Sequence, residues 1–557
     1  MKLKSFRVFL FCFLTLCICY LPKVKAQTAD RQQEFSRQDT LRGSITPERA
    51  WWDLTYYHLD VAVDIAARSI SGSNAIYYRV LEPHQTMQID LQKPLEITRI
   101  TQNGNELDFE REGSAFFVTL EDEQRKDDIY EVVVEYSGEP KIAVRPPWDG
   151  GFTWDQDSSG KPFVATSNQG IGASVWWPNK DHPYDEPDSM LISVNTPDSL
   201  MDVSNGRLRG VDEHDNNTKT WHWYVDNPIN NYGVNINIAD YVHFGEEYEG
   251  EAGTLTLDYY VLRENEEKAR EQFKQVIPMM EAFEHWFGPY PFYDDGYKLV
   301  EAPYLGMEHQ SSVTYGNGYQ NGYLGRDPSG SGWGLEFDFI IIHETGHEWF
   351  ANNITYSDVA DMWIHEGFTN YSENLYLDYR FGETASSEYV RGIRLGIQND
   401  RPITGTYGVN HRGSGDMYNK GGNMLHTIRQ VVNDDELWRE TLRGLNREFY
   451  HQTVTAAQVE QYITEKTGID LAPVFDQYVR DIRIPVLEYA FRDREFRYRW
   501  GNVVEGFNMP VDVTVNGEEM RLEPGTGWQA IPAEGTGSNE FTVDPDYYVG
   551  SMDLLGE

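Results

Sequence analysis

Cysteine is almost missing from this chain. Cys12, Cys17 and Cys19 are the only three, all within the first 26 residues, so beyond Ala26 neither a disulfide nor a thiolate can contribute to fold or chemistry. Positive charge is scarce as well. Only eleven lysines follow Ala26, and 47 Lys plus Arg face 89 Asp plus Glu, a formal charge of -42. That balance excludes nucleic acid or an anionic membrane surface as the main partner. After the N-terminus no run approaches the ~20 apolar residues needed to span a bilayer, which predicts no integral membrane segment in the mature chain. What is abundant is core material. Apolar residues make up 40% of the chain and aromatics 14%, enough to exclude a disordered polymer and to fill several cores in 557 residues. The first 26 residues read as a secretory signal: Lys2, Lys4 and Arg7 precede an apolar stretch over 8–21, and Ala26 is a small residue before Gln27. The expected location is periplasmic or extracellular.

Period-two alternation dominates from Trp51 to about Tyr241. Leu59, Val61, Val63 and Ile65 show it, as do Val132, Val134 and Tyr136, and Asn103-Gly104 is a hairpin signal between two such stretches. Residues 27–241 are therefore expected to form an N-terminal β domain. Near Glu264 the period becomes helical, with Ala269, Phe273, Val276, Met280 and Phe283 on one face before Gly288-Pro289. Helical patterns over 336–350, 367–380, 386–398, 420–432 and 436–450 make 242–484 a mainly helical domain, with Thr455 as a cap for one more. Alternation returns after Pro485, and Asn516-Gly517 marks another hairpin in a small β domain over 485–557. The Gly- and Tyr-rich stretch 316–334 has no Lys-Ser/Thr ending and reads as an irregular loop, not a phosphate cradle. The fold class is multidomain α+β.

Chemistry concentrates in His343-Glu344-Thr345-Gly346-His347. Two histidines four apart project from one helical face, so both imidazoles can reach one ion, with Glu344 beside it. Glu366, nineteen residues after His347, begins a second amphipathic helix and supplies a third ligand. Two nitrogens and one oxygen leave a fourth tetrahedral position open, which predicts one catalytic zinc per chain and not a structural one. Glu373 lies two turns beyond Glu366 on the same face, where its carboxylate can orient a ligating imidazole. Glu344 is placed to act as general base and then general acid in an attack by water on a peptide carbonyl.

With these residues in view the chain resembles the gluzincin zinc aminopeptidases, the group of aminopeptidase N and leukotriene hydrolase. Gly306-Met307-Glu308-His309 is similar to that family's Gly-x-Met-Glu-Asn motif, Tyr418-Asn419-Lys420-Gly421 matches its Tyr-x-Lys-Gly element, and Thr166-Ser167-Asn168-Gln169 with Trp177-Pro178 resembles the segment carrying a substrate-binding glutamine. The resemblance implies a saddle-like N-terminal β domain, a thermolysin-like catalytic domain and a short C-terminal β domain. It also implies an aminopeptidase acting on peptides with a free N-terminus, with Gly306, Met307, Glu308 and Gln169 binding substrate and Tyr418 stabilising the oxyanion. An endopeptidase or an epoxide hydrolase on the same scaffold is the alternative; Glu308 and Gln169 at the amine end speak against the first. His309 and His365 stand where the family usually has Asn. An imidazolium at His309 could compete with substrate amine for Glu308 at low pH.

Overall fold

In strand Trp52–Asp64 the alternating residues Leu59, Val61 and Val63 turn inward, as their period requires. The strand lies at the centre of an eight-stranded sheet, antiparallel to Ser69–Val80 with Val61 opposite Gly72, and parallel to Ser189–Pro197 with Val61 opposite Val194. The computed structural model describes residues 34–533 and 540–554, so the expected export signal over 1–26 lies outside the described residues. Asn103 and Gly104 both take positive φ, 54° and 84°, in the expected turn between Glu96–Gln102 and Asn105–Glu106. A four-stranded sheet contains Pro162–Ser167, and the chain leaving that strand carries Asn168 and Gln169. Asn168 fixes this turn by donating through Nδ2 to the carbonyl of Val234 at 2.9 Å.

Two short helices, Arg37–Gly43 and Pro47–Ala50, precede the first strand. The sequence reading missed them because the longer one buries only Leu41 and Gly43, too few positions to show a period.

From Tyr241 onward a five-stranded sheet leads into helices, and Gly306–Met307 is its edge strand. Helices Trp363–Phe381, Glu383–Arg394, Asn419–Val432 and Asp435–Glu448 match the periodic segments within a few residues. Thr455 caps Ala456–Thr467 in a reciprocal box with Gln458. Residues 316–334 are largely irregular, as expected.

Past Pro485 two small sheets form, one from Val486–Arg492 and its neighbours, the other around Val511–Val515. Their aromatic and branched side chains, Trp500, Phe507 and Val511 among them, join the same buried cluster as the helices. The N-terminal sheets have their own core, from Trp51 to Tyr241, which Tyr260, Leu262 and Val300 of the following sheet join. Residues from Arg37 onward form one compact unit. Among the described residues no helix is long and apolar enough to cross a membrane.

Candidate active site

Asp338 starts the histidine helix by accepting hydrogen bonds from the backbone amides of Ile340 and Ile341. The helix covers Phe339–Gly346, shorter than the expected 336–350, because the backbone at Phe350 and Ala351 leaves helical geometry. That departure has a use. The Phe350 carbonyl accepts a hydrogen bond from His347 Nδ1 at 3.1 Å, and Thr369 Oγ1 lies 2.9 Å from the same nitrogen.

His343 Nδ1 lies 2.7 Å from Glu373 Oε1, whose other oxygen accepts from the Tyr389 hydroxyl at 2.6 Å. A carbonyl and a carboxylate can only accept, so both Nδ1 atoms carry the proton and both Nε2 lone pairs face the interior. There they meet Glu366: His347 Nε2 is 3.3 Å and His343 Nε2 3.8 Å from Oε2. Tyr418 and Gln169 both donate to the other oxygen, Oε1, at 2.8 Å. Glu366 Oε2 is buried without a hydrogen-bond partner. Two lone pairs and an orphaned carboxylate oxygen would repel one another in a buried site unless a cation lay between them. The donor set fits a tetrahedral zinc ion with one open position.

Glycines let the elements come close enough. A Cβ on Gly421 would meet Gly367 Cα at 2.7 Å, so only glycine lets the Glu366 helix and the helix after Tyr418 touch there. This contact brings Tyr418 to Glu366. A Cβ on Gly306 would lie 2.9 Å from Glu344 Oε1, so the edge strand and Glu344 share one wall of the site. That wall and the cluster of His343, His347 and Glu366 enclose a cavity of about 520 Å³, lined also by Met307, Glu308 and Phe339. His343, Glu344, His347, Glu366 and Glu308 are at most 8% exposed. Burial pushes the Glu344 carboxyl up to about 7 and raises the Tyr418 phenol well above its ordinary value, leaving it a neutral donor.

Glu308 accepts a hydrogen bond from Gln169 Nε2 at 2.7 Å. One ligand atom each from Glu308, Glu344 and His347 lie within 4.8 Å of one another. All ten residues given a site role from the sequence, Gln169, Gly306, Met307, Glu308, His343, Glu344, His347, Glu366, Glu373 and Tyr418, line this cavity.

The expected competition from His309 does not arise. Its ring turns toward Asn235 and Thr314, with Nδ1 at 3.1 Å from Asn235 Nδ2, and burial drops its pKa to about 3. A neutral ring held by Asn235 and Thr314 brings no positive charge to compete for Glu308. His365 is likewise held neutral by burial and accepts the backbone N–H of Tyr356 through Nε2 at 2.9 Å. Sequence reasoning missed Thr369, Tyr389 and Arg42. Arg42 donates to the carbonyl of Gly170, beside Gln169, from the first short helix at 2.9 Å.

Fold and site together define a single-zinc metallopeptidase. Residues 271–478 match the model of the peptidase family M1 domain, and residues 54–232 that of the peptidase M1 N-terminal domain. The chain belongs to peptidase family M1. It is 23% identical over 503 residues to mouse (Mus musculus) aminopeptidase B, covering 80% of this chain and 72% of that protein. It is 22% identical over 445 residues to leukotriene A-4 hydrolase of Xenopus laevis, covering 75% and 68%. Among solved structures, an M1 zinc metallopeptidase from Deinococcus radiodurans superposes with a TM-score of 0.65 at 19% identity, over 79% of this chain and 95% of that one. A mutant of that protein was solved with a Tyr-Ser-Ala substrate bound.

Proposed function

We propose that this protein is an aminopeptidase that removes single residues from the free N-terminus of peptides, with zinc held by His343, His347 and Glu366. The observation that carries the reading is Glu308, a buried carboxylate within 4.8 Å of ligand atoms of Glu344 and His347. A protonated α-amine entering this cavity loses hydration and needs a carboxylate in return. Anchored at Glu308, with Gln169 holding that carboxylate, the substrate presents its first peptide bond to Glu344 and no later one. Held by His343, His347 and Glu366, zinc would supply the Lewis acidity that polarises a carbonyl and acidifies water. Glu344 takes the proton of the attacking water and passes it to the leaving nitrogen. Tyr418, a neutral phenol, donates a hydrogen bond to the carbonyl oxygen as it gains charge.

Two results are expected. Wild type cleaves a free peptide far faster than its N-acetylated twin, and Glu308→Ala loses most of that preference. Equal cleavage of both peptides by the wild type would end the aminopeptidase reading. Tyr418→Phe lowers kcat by about 10²-fold. Its zinc content, measured by atomic absorption, stays at one per chain; an unchanged kcat would move the oxyanion role to another group.

Export is proposed on the basic and apolar patterning of residues 1–26, which also fits the absence of cysteine beyond them. N-terminal sequencing of the native protein is expected to begin near Gln27. A native protein beginning at Met1 would refute export by cleavage.

A further inference from the structure

The walls of the cavity are electrostatically lopsided. Four glutamates line it, Glu308, Glu344, Glu366 and Glu373, whereas Arg412 is the only lysine or arginine among the described residues that do so. In a chain of formal charge -42 with 47 cations, a guanidinium facing a cleft would be expected to pair with a neighbouring carboxylate. Arg412 does not: among the described residues its side chain makes neither an ion pair nor a hydrogen bond.

Its backbone, by contrast, is held from both sides. Thr406 donates its N–H to the His411 carbonyl at 3.0 Å, Arg401 donates through Nη2 to the Gly413 carbonyl at 3.1 Å, and Ser414 donates its N–H to the Pro402 carbonyl at 2.9 Å. Gly405 donates to the Ala360 carbonyl at 2.8 Å, fixing the loop to the segment that leads into the Glu366 helix. The loop ends at Tyr418, and the Arg412 charge opposes the burial that raises the Tyr418 and Tyr356 phenols. A fixed backbone thus presents an unpaired cation to the cavity.

A short peptide is charged at both ends. Its amine has a carboxylate partner at Glu308, but its own carboxylate enters a cleft whose other acids all repel it. We propose that Arg412 receives a substrate carboxylate, which makes short peptides with a free C-terminus, or peptides with an acidic residue close behind the scissile bond, the preferred substrate class. The inference rests on the aminopeptidase reading and refines it. Guanidinium and carboxylate match as a two-point pair, and its exposure keeps the contribution modest and sensitive to salt.

The test uses alanine peptides of two to five residues as free acids and as C-terminal amides, plus amidated peptides carrying Glu or Gln at the second or third position. For wild type the preferred member of the best pair is expected to show kcat/KM about fivefold higher, falling as salt rises. In Arg412→Ala, or Arg412→Gln should the first variant fail to fold, that ratio falls to about one. A free-acid preference confined to short peptides identifies the C-terminus as the carboxylate; a Glu-over-Gln preference in amides identifies the side chain. A wild type indifferent to both, or a variant that keeps the full ratio, overturns the proposal. If no peptide and no aminoacyl-anilide is cleaved, it is the aminopeptidase reading that has failed.

Discussion

Glu344→Gln is expected to bind one zinc ion per chain, as wild type does, and to hydrolyse peptides about 10³-fold to 10⁴-fold more slowly. The amide matches the carboxylate in volume, so the close approach of Gly306 to this side chain is undisturbed. His343, His347 and Glu366, the proposed ligands, are untouched, so metal content and fold are expected to stay as they were. What is lost is the ability to accept a proton, and burial had tuned the carboxyl to about 7, suited to take a proton and give it back. Zinc content by atomic absorption and kcat on one peptide measure the two halves of this expectation separately. A Gln variant within tenfold of wild type would show that another group moves the proton.

His347→Ala should remove metal and activity together. Only His343 and Glu366 remain as ligands, two where a catalytic zinc site uses three protein ligands. The loss spreads further than one bond. Thr369 and the Phe350 carbonyl lose the imidazole they orient, and Glu366 keeps a buried oxygen with no compensating charge. Dialysed variant protein is expected to hold less than about a tenth of an equivalent of zinc and to show only background turnover. Stoichiometric zinc in this variant would mean that the ion is bound elsewhere.

The meeting of His343, His347 and Glu366 was legible in the sequence because its geometry is local. His343 and His347 are one turn apart, Glu366 and Glu373 two turns, and helical periodicity puts each pair on one face whatever surrounds them. The partners that orient these ligands were not legible. Tyr389 reaches Glu373 from a separate helix, and Phe350 reaches His347 only because the backbone breaks helical geometry after the turn that carries the two histidines. Neither has a short-range pattern. The neutrality of His309 was not legible, because it comes from burial beside Asn235, a residue of a distant segment. The β domains were readable from alternation, with Asn103-Gly104 and Asn516-Gly517 turning where expected at positive φ. The two helices before Trp52 were not, being too short to show a period, and yet Arg42 in the first of them steadies the turn that carries Gln169.

The most direct test of a zinc aminopeptidase built on this group is hydrolysis of an aminoacyl-anilide by the purified full-length protein before and after chelation, with zinc then returned in steps. Activity on the free anilide, none on its N-acetylated form, complete loss with the chelator and full recovery at one equivalent of zinc per chain are the expected results. Activity that survives removal of the metal, or a zinc-loaded protein that cleaves neither anilide nor peptide, would contradict it.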